Sequence, residues 1–414
     1  MIHYNGKVIE DKNYKRNYVL FVLDSILFTN AMTFLSVNAV IAYFLNTLGA
    51  STLEISLVSV LSSVCIFISQ PLFAKMAMER SYKVKTFTKI LYTQRFFFLI
   101  FILTIPIFAK SSPHFMVILF LICWSIFSIF VGAYSPFFMS LFSKAIPYNK
   151  QGGVMGLGGA LGNIIALGSS YLVGILLINI KFPYNYTAIF SIGIIFLLID
   201  VFDLQLIKEV PDKVAEKHLS YWKFIRDIPG VLRKNAKVMK IIAGNSMITI
   251  SNIGLAYYAL YAIRSYHARV EQAALFTAIA VVINVVGSTG FGLLADKYGH
   301  KLILQTASIF GAAAGIAAFS GNSIFMVYVA FALSTLCASG YNLSAGVIIV
   351  HNSPKEQIPI YVSANNMITL IISSFFMITG SLIIDKISFK PLFIIISIAG
   401  ILGYIIFHLT RLEK

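Results

Sequence analysis

Acidic residues are scarce in this 414-residue chain: Asp and Glu number 16 against 32 Lys and Arg, and charged residues together make up 12%. So little charge excludes a water-soluble globule, in which about a quarter of residues are charged. Cysteine is limited to Cys65, Cys123 and Cys337, far apart in apolar sequence, with no CxxC spacing and no His beside them. That excludes a cysteine metal site and reads as three small core side chains. No nucleophile elbow, phosphate-binding loop or HExxH motif occurs, and the seven His are scattered. Neither a hydrolytic centre nor an ATP motor is therefore expected, nor a metal or cofactor. Energy for any coupled process must come from an ion gradient or from a solute's own gradient.

What is abundant is apolar sequence: hydrophobic residues make up 58% of the chain and its mean hydropathy is +0.85. A bilayer core about 30 Å thick is crossed by roughly 20 mostly apolar helical residues. Twelve such runs occur, at 17–45, 53–74, 86–109, 114–139, 151–179, 184–206, 240–263, 272–294, 302–320, 323–350, 358–384 and 390–411. None resembles the alternating strands of about 10 residues that build membrane barrels. The expected fold class is an all-α polytopic membrane protein with twelve transmembrane helices.

The net charge of +16 invites a nucleic-acid reading, but its distribution does not support one. With the amino terminus in the cytoplasm, 25 of the 32 Lys and Arg fall on the inner side and 6 outside, leaving Arg95 within a span. This inward bias places both termini in the cytoplasm and accounts for the basic character without nucleic acid. The first 17 residues show no apolar run or cleavage site, so no cleaved signal peptide is expected and the first span serves as anchor.

Charge density rises sharply only at 207–239, which separates an amino-terminal unit (1–206) from a carboxy-terminal one (240–414), each with six spans. Within this linker Leu219, Trp222, Ile225 and Leu232 alternate with Lys223, Arg226, Arg233 and Lys234. The spacing predicts an amphipathic helix on the cytoplasmic leaflet, with a plain solvated linker as the alternative. The halves look related: the segment from Pro147 to Met155 parallels that from Pro354 to Val362, displaced by 207 residues. An internal duplication of a six-helix unit produces such an offset.

The most specific local pattern joins the eighth and ninth spans: Gly292, Asp296, Lys297, Gly299, His300 and Lys301. It resembles the loop signature of the major facilitator superfamily, G-x-x-x-D-R/K-x-G-R/K-R/K, with His300 in place of a fixed cation. The resemblance implies two pseudo-symmetric six-helix bundles and a conformational latch formed by Gly292, Asp296, Lys297, Gly299 and Lys301. In the first half the matching stretch, Gln70 to Lys85, lacks the glycines, and Glu79 with Arg80 only loosely replaces the acid–base pair. The fifth span is rich in small residues, which suit close and mobile helix contacts. It keeps Gly158 and Gly162 of the superfamily's exporter pattern but has Asn163 where that pattern has proline.

Charge inside a span is costly and seldom kept without a task. Two deep charges are expected, Asp24 in the first span and Arg95 in the third, either as a buried ion pair or with Asp24 as a proton-coupling group. Asp200 and Asp203 are expected nearer the cytoplasmic end of the sixth span, within reach of water. Neutral groups recur at helical spacing: Asn245, Thr249 and Asn252; Thr335, Ser339 and Asn342; Thr277, Asn284 and Ser288; and Asp24 with Asn38. In the superfamily the central cavity is lined mainly by the first, fourth, seventh and tenth spans. The resemblance therefore makes Asn38, Asn245, Asn252 and Asn342 candidate substrate contacts, with Asn284 and Asn163 added from the eighth and fifth spans.

The expected function is secondary transport of a small organic solute by alternating access, proton-coupled, with efflux ahead of uptake. The alternatives are uptake of a neutral polar solute such as a sugar or nucleoside, and a lipid flippase or transport-inactive receptor on the same fold. The expected partners are a small-molecule substrate, membrane lipid and protons. The protein is expected to be a monomer in the plasma membrane and not an enzyme.

Overall fold

The structure, a computed structural model of the chain, describes residues 2–4, 7–9, 11–211, 221–266 and 270–410. A short antiparallel hairpin, β1 (Ile2–Tyr4) and β2 (Lys7–Ile9), pairs Ile2 with Ile9. The other regular elements among the described residues are helical. The first crossing lies in α1 (Asp11–Phe34), which gives way to a π turn over Val37–Ile41 and to α2 (Ala42–Thr47). Next come α3 (Thr52–Met78), α4 (Val84–Ser111), the pair α5 (Pro113–Val131) and α6 (Tyr134–Ala145), α7 (Tyr148–Asn179) and α8 (Tyr184–Gln205). Helix α9 (Tyr221–Lys234) precedes α10 (Ala236–Asn252), α11 (Gly254–Tyr266), α12 (Val270–Tyr298), α13 (His300–Ser320), α14 (Ile324–Asn352), α15 (Ile358–Lys386) and α16 (Lys390–Leu409).

Among the described residues, twelve helical segments are long and apolar enough to cross a membrane. The chain is a multi-pass membrane protein. Large apolar side chains face outward, as lipid requires: Phe96, Leu103 and Ile107 of α4 are each more than 60% exposed. Helix ends follow local chemistry. Ser51 and Glu54 form a reciprocal capping box at the start of α3, and Pro113 opens α5. Gly299, with φ of 87°, makes the reversal from α12 into α13 in a conformation a side chain would oppose.

The crossings expected at 17–45, 114–139 and 240–263 are each interrupted, at the π turn, at Gly132–Ala133 and at Ile253. The first interruption corrects the placement of Asp24 and Asn38 on one face. That face assumes unbroken helical rotation over fourteen residues, and a π turn changes the rotation per residue.

The chain divides into two compact units, Met1–Ile146 with Leu161–Tyr221, and Pro147–Ala160 with Trp222–Lys414. Helix α7 is shared, its first turns belonging to the second unit. The core of the first unit is aromatic: Phe44 meets Phe101, Phe120, Tyr186 and Phe190 at centroid distances of 5.0–6.5 Å. In the second, α13 lies against α14 and α16, and Gly315 and Gly400 allow the backbones to approach. Helix α9 buries Ile228 and Leu232 and exposes Arg226, Arg233 and Lys234. Leu219, and the side chains of Trp222, Lys223 and Ile225, lie outside the described residues.

Candidate functional site

Three charged side chains meet in the interior of the first unit. Asp24 of α1, Arg95 of α4 and Asp200 of α8 are 1%, 1% and 0% exposed. Arg95 Nη2 donates to Asp200 Oδ2 at 3.1 Å, so the buried ion pair joins α4 to α8. Asp24 takes a different partner: Tyr134 Oη, at the start of α6, donates to its two carboxylate oxygens at 2.9 and 2.8 Å. Gln94 completes the cluster, accepting from Arg95 Nη1 and donating to the Phe127 carbonyl at 2.7 Å. Phe28 and Phe138 stack on either side of the Tyr134 ring at 5.0 and 5.1 Å. The cluster is thus closed off by aromatic surface.

Two sequence expectations change here. Asp200 is fully buried and Asp203 is 6% exposed, so neither sits in reach of water as expected. The deep charges are three, and the partner of Arg95 is Asp200 in place of Asp24. Asp200 lies five residues inside the end of α8, the same kind of depth that singled out Asp24, so the rise per residue carried the signal. Tyr134 had none, because only the fold brings α6 beside α1.

One turn beyond Asp24, α1 borders a groove of about 470 Å³ lined by Thr29, Thr33, Ser36 and Ser170 with Met32, Val40 and Val173. Its polar groups are all uncharged, and its volume is that of a small-molecule site. Ser169 Oγ donates to Asn30 Oδ1 at 2.7 Å and ties α7 to α1 beside it. Outside the crossings, Glu209 accepts from the Lys83 and Val84 N–H groups at 2.8 and 2.9 Å, closing the start of α4. Burial raises the pKa of this carboxyl, opposed by the two N–H groups and by Lys144 and Lys83.

The second unit gathers amides instead. Asn245 Nδ2 donates to Asn365 Oδ1 at 3.0 Å, and Thr369 Oγ1 donates to the Asn365 carbonyl at 2.8 Å. Asn365 was missed in the sequence because α10 and α15 converge only in the fold. Asn252 and Asn284 are half-buried and Asn342 is exposed, so the four predicted amides of this unit do not form one cluster. In the first unit Asn163 is half-buried. Asn38 lies in the π turn, and its side chain is outside the described residues.

The loop residues make separate contacts. Asp296 Oδ2 accepts from the Gly153 N–H at 2.9 Å at the start of α7, where the helix dipole favours an anion. Gly292 lies against Gly152 and Gly156, where an added Cβ would come within 2.9 Å of backbone atoms. Lys301 Nζ holds the Thr410 carbonyl at 2.9 Å, whereas Lys297 is exposed, over its neighbour Tyr298 at 5.1 Å. His300 is buried, with Nδ1 3.0 Å from Ser344 Oγ.

The family model of the Major Facilitator Superfamily matches residues 241–414. That match covers the carboxy-terminal part of the chain. No curated protein matches the chain in sequence, yet its fold recurs in solved structures along nearly its whole length. The E. coli fucose:proton symporter superposes with a TM-score of 0.75 at 14% identity, covering 97% of this chain and 100% of that one. A bacterial homologue of the iron transporter ferroportin, in its outward-facing state, gives 0.74 at 14%, covering 94% and 98%. The proton:xylose symporter XylE gives 0.73 at 14%, covering 98% of each chain. At such identities the likeness extends to the transporter fold, of two pseudo-symmetric six-helix bundles.

Proposed function

We propose that this protein is a proton-coupled secondary transporter of a small, neutral, polar organic solute, working by alternating access. The observation that carries the reading is the buried cluster of Asp24, Asp200 and Arg95. One guanidinium neutralises one carboxylate, and a second carboxylate would leave a net charge where each buried ion costs several kcal/mol. The pair Asp24–Asp200 is therefore the proposed proton site, and Tyr134 the donor that steadies Asp24 when the proton leaves.

The solute class rests on the groove beside the cluster, whose polar lining is entirely hydroxyl. Hydroxyl and amide linings suit a solute that exchanges water hydrogen bonds for protein ones, with no charge to balance. Two structural relatives are proton symporters, of fucose and of xylose, a precedent for this chemistry on this fold. Import by symport is the direction that accompanies this reading, and the sequence expectation of efflux is its rival. The Asp296–Gly153 contact is the proposed latch, and the loop charges support cytoplasmic termini in a plasma-membrane protein.

The test is uptake of radiolabelled sugars and polyols into proteoliposomes under an imposed pH gradient, native chain against Asp24→Asn. Gradient-driven accumulation should vanish in the variant while exchange of solute persists. Unchanged accumulation would remove Asp24 from the coupling, and accumulation only under the opposite gradient would reverse the direction.

A further inference from the structure

We infer that the second unit carries a site for one anionic phospholipid, between the start of α10 and the end of α16. The site is a groove of about 370 Å³ lined by Ala236, Lys237, Lys240, Leu409 and Thr410. Two of its five lining residues are cationic and none is acidic. Lys237 and Lys240 stand one turn apart on one face of α10, at the helix N-terminus, where the backbone dipole adds to their attraction for an anion. The end of α16 would oppose an anion through its free carbonyls, but the Lys301 ammonium already occupies those of Thr410, at 2.9 Å, and His408, at 3.4 Å.

The surroundings distinguish a lipid from a soluble phosphate. Leading away from the groove along α16, Leu409, Ile405 and Leu402 fall at helical spacing and are exposed, Leu409 by 72%. They form an apolar track continuous with the cationic end. An amphiphile with an anionic head and acyl chains matches both parts, whereas a free anion uses only the first. The groove also follows directly on α9, whose exposed Arg226, Arg233 and Lys234 and buried Ile228 and Leu232 are those of a helix lying at a headgroup layer. Thus depth, charge and apolar surface agree on a phospholipid headgroup seated on Lys237 and Lys240. The inference is independent of the proposed solute and of its coupling.

The experiment is native mass spectrometry of the purified full chain in detergent, titrated with phosphatidylglycerol or phosphatidylcholine. The native protein should retain phosphatidylglycerol in preference, with a single tight equivalent. Two lysines at headgroup depth correspond to about thirtyfold in affinity, so Lys237→Ala/Lys240→Ala should lose about that much. Lys237→Arg/Lys240→Arg should keep it, which guards against misfolding of the alanine variant. Lys85→Ala/Lys89→Ala removes the same charge from the first unit and should change little. Equal losses in the two alanine pairs would replace the site by diffuse surface charge. Displacement of the lipid by inorganic phosphate at comparable concentration would show an anion site without lipid specificity, and overturn the inference.

Discussion

The two units solve the problem of polar groups in a membrane in opposite ways. Every buried Asp, Lys and Arg among the described residues, namely Asp24, Lys83, Arg95, Lys144, Asp200 and Asp203, belongs to the first unit. The second buries amides, hydroxyls and one imidazole, His300. Charged groups interact over longer distances and exchange protons, whereas amides offer directional hydrogen bonds and no change of charge. The lesson is a division between buried charge in one unit and neutral contacts with close helix packing in the other.

The sharpest way to break this comparison is to unbalance the charges. Arg95→Leu strands Asp200 and should cost about 3–5 kcal/mol, read as a large fall in thermal midpoint in detergent. The double variant Arg95→Leu/Asp200→Leu should recover most of it. A single variant as stable as the native chain would show that the pair holds nothing together.

The packing of the second unit comes next. A Cβ at Gly156 would meet the Ser288 carbonyl oxygen at 2.4 Å and Gly292 Cα at 2.8 Å. Gly156→Leu should therefore destabilise by about 1–3 kcal/mol and weaken the Asp296 contact one turn away. Gly168→Leu, on the same helix with open space around it, should leave stability nearly unchanged. Cysteine accessibility along α7 reports both.

Asn245→Ala removes a buried amide and leaves Asn365 short of a donor, at a cost of about 1–2 kcal/mol. The pH dependence of transport should not move, since no charge is lost. A shifted pH profile would put proton handling in the second unit as well.

The smallest effect is expected at the surface of the first unit. Ser51, through its side chain and backbone, lowers the pKa of Glu54. A depressed carboxyl pKa adds stability that is present above its unfolded value and lost as pH falls through the folded one. Ser51→Ala should lower the thermal midpoint slightly near neutral pH, and the difference should shrink on acidification through that range.

Much of this protein is legible in one dimension. Length and apolar runs are local quantities, and they gave the twelve crossings and the turn at the left-handed Gly299. Asp24 and Arg95 were visible for the same reason, as charges flanked by apolar sequence. The reading of Asp200 as accessible failed because distance from a helix end measures depth along an axis and says nothing of which neighbours close over it. The interruptions in the first, fourth and seventh crossings were hidden too, since apolar composition is the same on either side of a kink.

Sequence alone therefore determined the solvent and the number of crossings, because partition into lipid depends on residues close together in the chain. Tertiary structure decided the pairings: Arg95 with Asp200, Asp24 with Tyr134, Asn245 with Asn365, Asp296 with Gly153. Each joins helices more than a hundred residues apart or, for Asp24 and Arg95, chooses between acids of similar sequence context. A hydrogen bond or ion pair is settled within about 3 Å, and only the packing of helices in space brings two side chains that close.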